Sequence, residues 1–266
     1  MGRKLLAAHA VLVFAFLYLP IGIVVAYAFN GGRQTLNWEG FSTRWFGAAL
    51  RDDSITSALR NSLLIAAGNA VVACVLGTLL ALSLPRMWRA LRVPIDALVT
   101  MTLVTPEIVF GIAALVFFTE IGLTLGLTTV LVAHVVFNAS VVALVVRARF
   151  VGMGQDFEEA SFDLGAGPLS TFRQVTLPRL APAILAGGLL AFTFSFDDFY
   201  TSFFVSGAGT TTLPLYVFSS LRFGVSPIVN ATAAMVLALT IGAIVLAYVV
   251  LRRSGGRSGG VLPGVR

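Results

Sequence analysis

The sequence predicts an all-α, polytopic membrane protein with six transmembrane helices, and three observations support this. Hydrophobic residues make up 58% of the 266 and charged residues only 11%, too little charge to cover the surface of a water-soluble domain. Six apolar stretches are each long enough to cross about 30 Å of hydrocarbon as a helix. The cations gather between alternate stretches, as the positive-inside bias requires.

The first stretch, 9–29, follows a short basic segment at 1–8 and contains Pro20. "AYA" at 26–28 resembles a signal-peptidase site, but the apolar run is long for a signal segment, which favours a retained helix. Residues 30–59 read as an outer loop whose Trp38 and Trp45 suit the membrane interface. The second stretch, 60–84, has an uncharged core in which Cys74 serves as a small filler. The third, 95–118, contains Pro106-Glu107, where proline removes a backbone donor and can open the helix near the midplane. A tight outer turn around Glu120 leads to the fourth, 125–146. There His134 and Asn138 stand four residues apart and are expected to pack or hydrogen-bond between helices. An inner loop at 147–180 precedes the fifth stretch, 181–204, and an outer segment at 205–229 precedes the sixth, 230–251. The Gly/Ser-rich tail, 252–266, is expected to be disordered.

With the N-terminus in the cytoplasm, thirteen of the 18 lysines and arginines fall on the inner side, around Arg3, Arg86, Arg147 and Arg252. Both termini are therefore expected inside. The formal charge is +6, yet no basic stretch stands clear of the apolar ones, so nucleic acid is not an expected partner. One cysteine and two distant histidines, His9 and His134, offer neither a disulfide framework nor a metal centre. The sole lysine, Lys4, lacks the glycines of a P-loop.

The inner loop reads "RARFVGMGQDFEEASFDLGAGPLSTFRQVTLP". Asp156 can cap a short helix whose first turn holds Glu158 and Glu159 beside the positive end of its dipole. Phe157, Ala160 and Leu164 recur at helical spacing, and "GAGP" at 165–168 stops the helix. Acids at one end and an apolar stripe describe a docking element. A helix lying on headgroups would carry Lys and Arg instead. Glu159-Ala160-Ser161, then Gly165, then Val175-x-Leu177-Pro178 resembles the EAA signature of ABC-importer permease subunits, with Ser161 for Ala as its one departure. That resemblance implies the type I importer fold. It also implies a coupling helix at 156–168 that seats on a separate cytoplasmic ATPase. Glu158, Glu159, Ala160, Asp163 and Gly165 are the candidate ATPase-coupling residues, and ATP-Mg would be bound by that partner.

The fifth stretch holds Asp197 and Asp198 side by side. Each costs roughly 2.5–3.5 kcal/mol at the bilayer centre on insertion scales. As one helix, it would put Thr193, Asp197, Tyr200, Thr201 and Phe204 on a broad face. Carboxylates, hydroxyls and rings suit an organic cation. The candidate pathway residues are Asp197, Asp198, Glu107, Phe194, Tyr200 and Thr201. Structural pairing of these acids with an arginine inside the bundle, or with polar groups of a partner subunit, is the alternative. Adjacent aspartates point about 100° apart on a helix and poorly form an aspartyl-protease dyad. A proton- or ion-coupled carrier would have no use for the docking loop. "SFDDF" at 195–199, "TPEIVFG" at 105–111, "YLPIGIVVAYAFN" and the segment 204–231 resemble the spermidine/putrescine importer permeases, most of all their second permease subunit. That resemblance implies a non-catalytic subunit in a bacterial cytoplasmic (inner) membrane. It would work with a sister permease, two ATPase subunits and an extracytoplasmic solute-binding protein. Permeases for other solutes share much of the pattern.

Overall fold

The computed structural model describes residues 2–33, 37–154, 156–222, 224 and 226–255. Its elements are α1 (Gly2–Ala28), α2 (Arg44–Arg51), α3 (Asp53–Ser83), α4 (Arg89–Val104), α5 (Glu107–Glu120), α6 (Leu127–Val151), α7 (Asp156–Asp163), α8 (Pro168–Thr171), α9 (Leu177–Asp197), α10 (Tyr200–Val205), α11 (Leu213–Leu221) and α12 (Pro227–Gly255). Among the described residues the one β contact is an isolated bridge between Asn30 and Phe41. The fold is all-α, as the sequence predicts.

Among the described residues, four helical runs are long and apolar enough to cross a membrane: Lys4–Ala28, Asp53–Arg86, Leu127–Val151 and Pro168–Asp197. The α4–α5 pair adds a fifth if its halves are one broken span. The sixth expected stretch lies in α12, where Pro227–Gly242 forms a shorter apolar helix. α12 runs on to Gly255, past the expected start of the tail at 252. The rest of that tail, 256–266, lies outside the described residues.

Two expected spans are not single helices, and each break carries an acid. In the third, α4 and α5 meet at 116°. Thr105 is extended at ψ 128°, and Pro106 follows with ψ 134°. Proline pushes the residue before it out of the helical region and has no N–H to continue the ladder. In the fifth, the helix starts early and stops early. α8 continues through one π-helical turn, Phe172–Thr176, into α9, so the run begins at Pro168 rather than 181. It ends at Asp197, because Asp198 is extended at ψ 122°, and α10 starts afresh at Tyr200.

Two compact units divide the chain, Met1–Thr56 with Val217–Arg266, and Ser57–Tyr216. In the first, α12 packs on α1 and α2. The small residues Ala28, Ala231 and Ala234 let the helices approach, and Val25, Phe29, Trp45 and Phe46 close the contact. Buried Asn30 ties the loop between α1 and α2: its Oδ1 accepts from the Gly32 and Glu39 amides, and Trp45 Nε1 donates to the Asn30 carbonyl at 3.0 Å. Trp45 thus anchors the loop, while Trp38 is exposed.

In the second unit, α6 is the central helix and packs most extensively against α9. Glycines set the approach. A Cβ on Gly77 would lie 2.6 Å from Val142 Cβ and 2.7 Å from the Ala139 carbonyl oxygen, and one on Gly187 would lie 3.3 Å from Val142 Cγ1. Small residues of this kind drive helix contact in lipid, where burial alone offers little. Cys74 fills a matching notch: its thiol donates to the Ile184 carbonyl at 3.5 Å. Asp96 on α4 pairs with Arg147 on α6.

Gly77→Val should lower the melting midpoint of the purified protein by the equivalent of about 1–3 kcal/mol, as overpacked cores do. Gly22→Ala, whose Cβ would meet no atom within 4 Å, should leave the midpoint unchanged or slightly raised.

Candidate functional site: a polar cleft beside two helix breaks

Both breaks open onto one cleft in the second unit. Glu107, Phe110, His134, Phe137, Asn138, Phe194, Asp198 and Thr201 line it. Glu107 is the first residue of α5, placed there by the Pro106 break. α10 is held against α5 because Gly111 has no side chain: a Cβ there would lie 2.9 Å from Phe204 Cδ2 and 3.2 Å from Thr201 Cα.

Asp198 organises the second break. Its Oδ2 accepts from the Ser202 amide at 2.7 Å and its Oδ1 from the Thr201 amide at 3.3 Å. These are amides of the first turn of α10, which have no carbonyl partner within the helix. His134, 3% exposed on α6, brings Nε2 to 3.1 Å from Asp198 Oδ2. Its other ring nitrogen, Nδ1, lies 2.7 Å from Ser195 Oγ on α9. Ser202 Oγ stands 3.3 Å from Nε2. With Asp198 ionised, the carboxylate can only accept, so the proton between the two sits on Nε2. In a neutral ring Nδ1 then accepts from the Ser195 hydroxyl. His134 thereby joins both sides of the α9–α10 break to α6.

The expected pathway residues separate into two groups. Glu107, Phe194, Asp198 and Thr201 meet at the cleft. Asp197 is exposed and outside its lining, as is Tyr200, 47% exposed. The single face expected from Thr193 to Phe204 does not exist, because the break at Asp198 changes the helix axis between Asp197 and Tyr200. The partner of Asp198 is a histidine, not the arginine weighed as the structural alternative. His134 makes the inter-helix hydrogen bonds expected of it, whereas the Asn138 amide bonds within α6, to the His134 carbonyl; both line the cleft, which periodicity did not indicate. Two polar residues four apart in an otherwise apolar span were the available signal.

The segment between α6 and α9 holds a second arrangement. α7 ends in a glycine-terminated turn: the Ala166 amide donates to the Ser161 carbonyl at 3.1 Å, the Gly165 amide to the Phe162 carbonyl at 2.8 Å, and Gly165 has φ +82°. This is the Schellman geometry, which favours glycine at that position. Glu158 points back to the helical body. It accepts from Thr176 Oγ1 at 2.6 Å and faces Arg86 at 3.6 Å. Arg179 lies 3.5 Å over the Phe157 ring, and Ser161 bonds Thr171 at 2.9 Å. Glu159, Ala160, Asp163 and Gly165 are left exposed, with Leu164 89% exposed beside them. Residues 73–255 match the family model described as "Binding-protein-dependent transport system inner membrane component". The chain belongs to that family.

Relatives agree. The chain is 43% identical over 231 residues to the putrescine transport system permease protein PotI of Escherichia coli (strain K12), covering 84% of this chain and 82% of the relative. It is 34% identical over 261 residues to the spermidine/putrescine transport system permease protein PotC of the same organism, covering 98% and 99%. Among solved structures, a bacterial ABC transporter involved in the import of alginate superposes with TM-score 0.65 at 20% identity, covering 94% of this chain and 96% of that one. The MetNI methionine ABC transporter superposes with TM-score 0.61 at 21% identity, covering 76% and 98%. The fold is that of ABC-importer permeases.

Replacing Asp198 tests the break. Asp198→Leu leaves two amides of α10 without their acceptor and takes the carboxylate from His134 Nε2, and should cost about 2–4 kcal/mol in stability. Asp198→Asn keeps a capping oxygen and should cost about 1 kcal/mol. Asp197→Leu should change little. The melting midpoints of the three purified variants should fall in that order.

Proposed function

We propose that this chain is the permease subunit of a polyamine importer, forming the passage for a small organic polycation such as putrescine or spermidine. The observation that carries the reading is the cleft itself. Two carboxylates, Glu107 and Asp198, stand among Phe110, Phe137 and Phe194. Carboxylates suit ammonium ends, and rings suit the methylene chain between them and add cation–π attraction. The substrates named for the two Escherichia coli relatives, putrescine and spermidine, are of this chemistry.

In this reading the chain makes and breaks no covalent bond. It pairs with a sister permease, receives substrate from an extracytoplasmic solute-binding protein, and is driven by two cytoplasmic ATPase subunits that bind ATP and Mg. It lies in a bacterial inner membrane with both termini cytoplasmic. α7 is the coupling helix. Glu158, Arg179 and the Ser161–Thr171 bond hold it to the permease, so motion at α7 reaches α8 and α9. Glu159, Ala160, Asp163 and Gly165 form the face offered to the ATPase. α9 ends at the cleft, so one continuous run from Pro168 to Asp197 links the ATPase face to the substrate.

A second reading has its own observation. Asp198 already accepts two amides and a histidine, which is a structural occupation. An importer for another solute could use it for that alone.

Uptake separates the two. Cells lacking their own polyamine importers, given this chain with its ATPase, sister permease and binding protein, should accumulate labelled putrescine or spermidine. An ATPase-dead motor should abolish it. An assembled, ATP-hydrolysing complex that takes up neither amine would leave the second reading. Within a working complex, Glu159→Lys should cut uptake about tenfold or more by reversing charge at the ATPase face, with assembly of the membrane subunits unchanged.

A further inference from the structure

We propose that Asn138 is a substrate ligand. Its amide oxygen, with the carboxylates of Glu107 and Asp198, forms a three-acceptor socket for one primary ammonium end of the substrate. The proposal rests on the polyamine reading above and assigns the recognition chemistry within it.

Asn138 lies on α6, is 2% exposed and lines the cleft. Its Nδ2 donates to the His134 carbonyl at 3.0 Å, which settles which end of the amide is oxygen. Among the described residues, no donor reaches Oδ1. A buried acceptor left unpaired costs roughly 1–3 kcal/mol, and water is scarce at bilayer depth. Asn69 on α3 also has an unpaired, buried Oδ1, but it does not line the cleft. The position of Asn138, rather than the unpaired atom alone, is what points to a ligand.

Counting acceptors identifies the group that fits. A carboxylate offers about four lone-pair directions. Asp198 spends three on the Thr201 and Ser202 amides and His134, with the Ser202 hydroxyl also beside it, leaving at most one. Exposed Glu107 supplies a second acceptor and Asn138 Oδ1 a third. A primary ammonium has three donors and no acceptor. A quaternary ammonium has no donor to give, and a guanidinium presents a flat fork of five. The socket therefore favours a primary amine terminus, with its methylene chain among the phenylalanines.

His134 has a positioning role here. Its carbonyl orients the Asn138 amide, and its ring holds the Asp198 carboxylate.

The test uses the complete transporter in proteoliposomes, with labelled putrescine and the variants Asn138→Leu and Asn138→Asp compared at equal amounts of assembled complex. Asn138→Leu removes the acceptor and should lower uptake about tenfold or more, the worth of one hydrogen bond to a charged group. ATP hydrolysis stimulated by loaded binding protein should stay within about twofold of the unsubstituted protein, because α7 is untouched. Asn138→Asp keeps an acceptor and loses the bond to His134, so uptake should stay within about threefold. Undiminished uptake by Asn138→Leu would overturn the proposal. So would an Asn138→Asp loss as deep as that of leucine, which would make the bond to His134 the residue's whole role. Should the leucine variant not assemble, Asn138→Ala, which also removes the acceptor, takes its place with the same expected loss and the same overturning result. An unsubstituted complex that carries no amine would instead sink the polyamine reading. One that carries putrescine with a silent Asn138→Leu would sink only this proposal.

Discussion

The carboxylate of Asp198 is the constraint on which the site depends. A helix broken inside a membrane exposes amides and carbonyls that lipid cannot satisfy. At the end of α9 the amides of Thr201 and Ser202 are satisfied by Asp198. His134 supports the same carboxylate from α6 and reaches Ser195 on the near side of the break. One ionisable group thus makes the break tolerable and keeps a carboxylate at the cleft. The insertion cost of that acid is offset by three hydrogen bonds and a polar neighbour.

The Pro106 break is built differently and has the same consequence. Proline ends α4 by chemistry alone, and Glu107 arrives at the cleft as the first residue of α5. Gly111 then lets α10 lie against α5, so the two breaks face one space. Small residues do comparable work where α6 crosses α3 and α9. Close crossings set the frame, and the run from Pro168 to Asp197 is the element within it that touches both α7 and the cleft.

Much of this was legible in the chain. Composition and apolar runs identify a membrane protein, and the Pro106-Glu107 and Asp197-Asp198 pairs point to the cleft. The loop signature identifies α7, and Gly165 ends it as its sequence context requires. The helix breaks were less visible. Hydropathy averages over about a turn or more, so it read 95–118 and 181–204 as continuous. Proline hinted at the first break. The second was announced only by Asp198 as a capping residue type, whose carboxylate accepts amides three and four residues on; its support from His134, 64 residues away, is not local. The same limit explains why Asp197 and Asp198 looked equivalent: adjacency in sequence does not show which one turns inward. His134 and Asn138 were visible as polar residues in an apolar helix, but their placement at the cleft depends on the crossing of α6 with α9.

The most direct measurement is a double-mutant cycle between His134→Gln and Asp198→Asn, read from the thermal stability of the assembled membrane complex. If the pair supports the break as a unit, the double variant should be scarcely less stable than the worse single one, giving a coupling of about 1 kcal/mol or more. Losses that add to within about 0.5 kcal/mol would mean that the two residues act independently. Asp198 would then not be the group that holds the broken helix to α6.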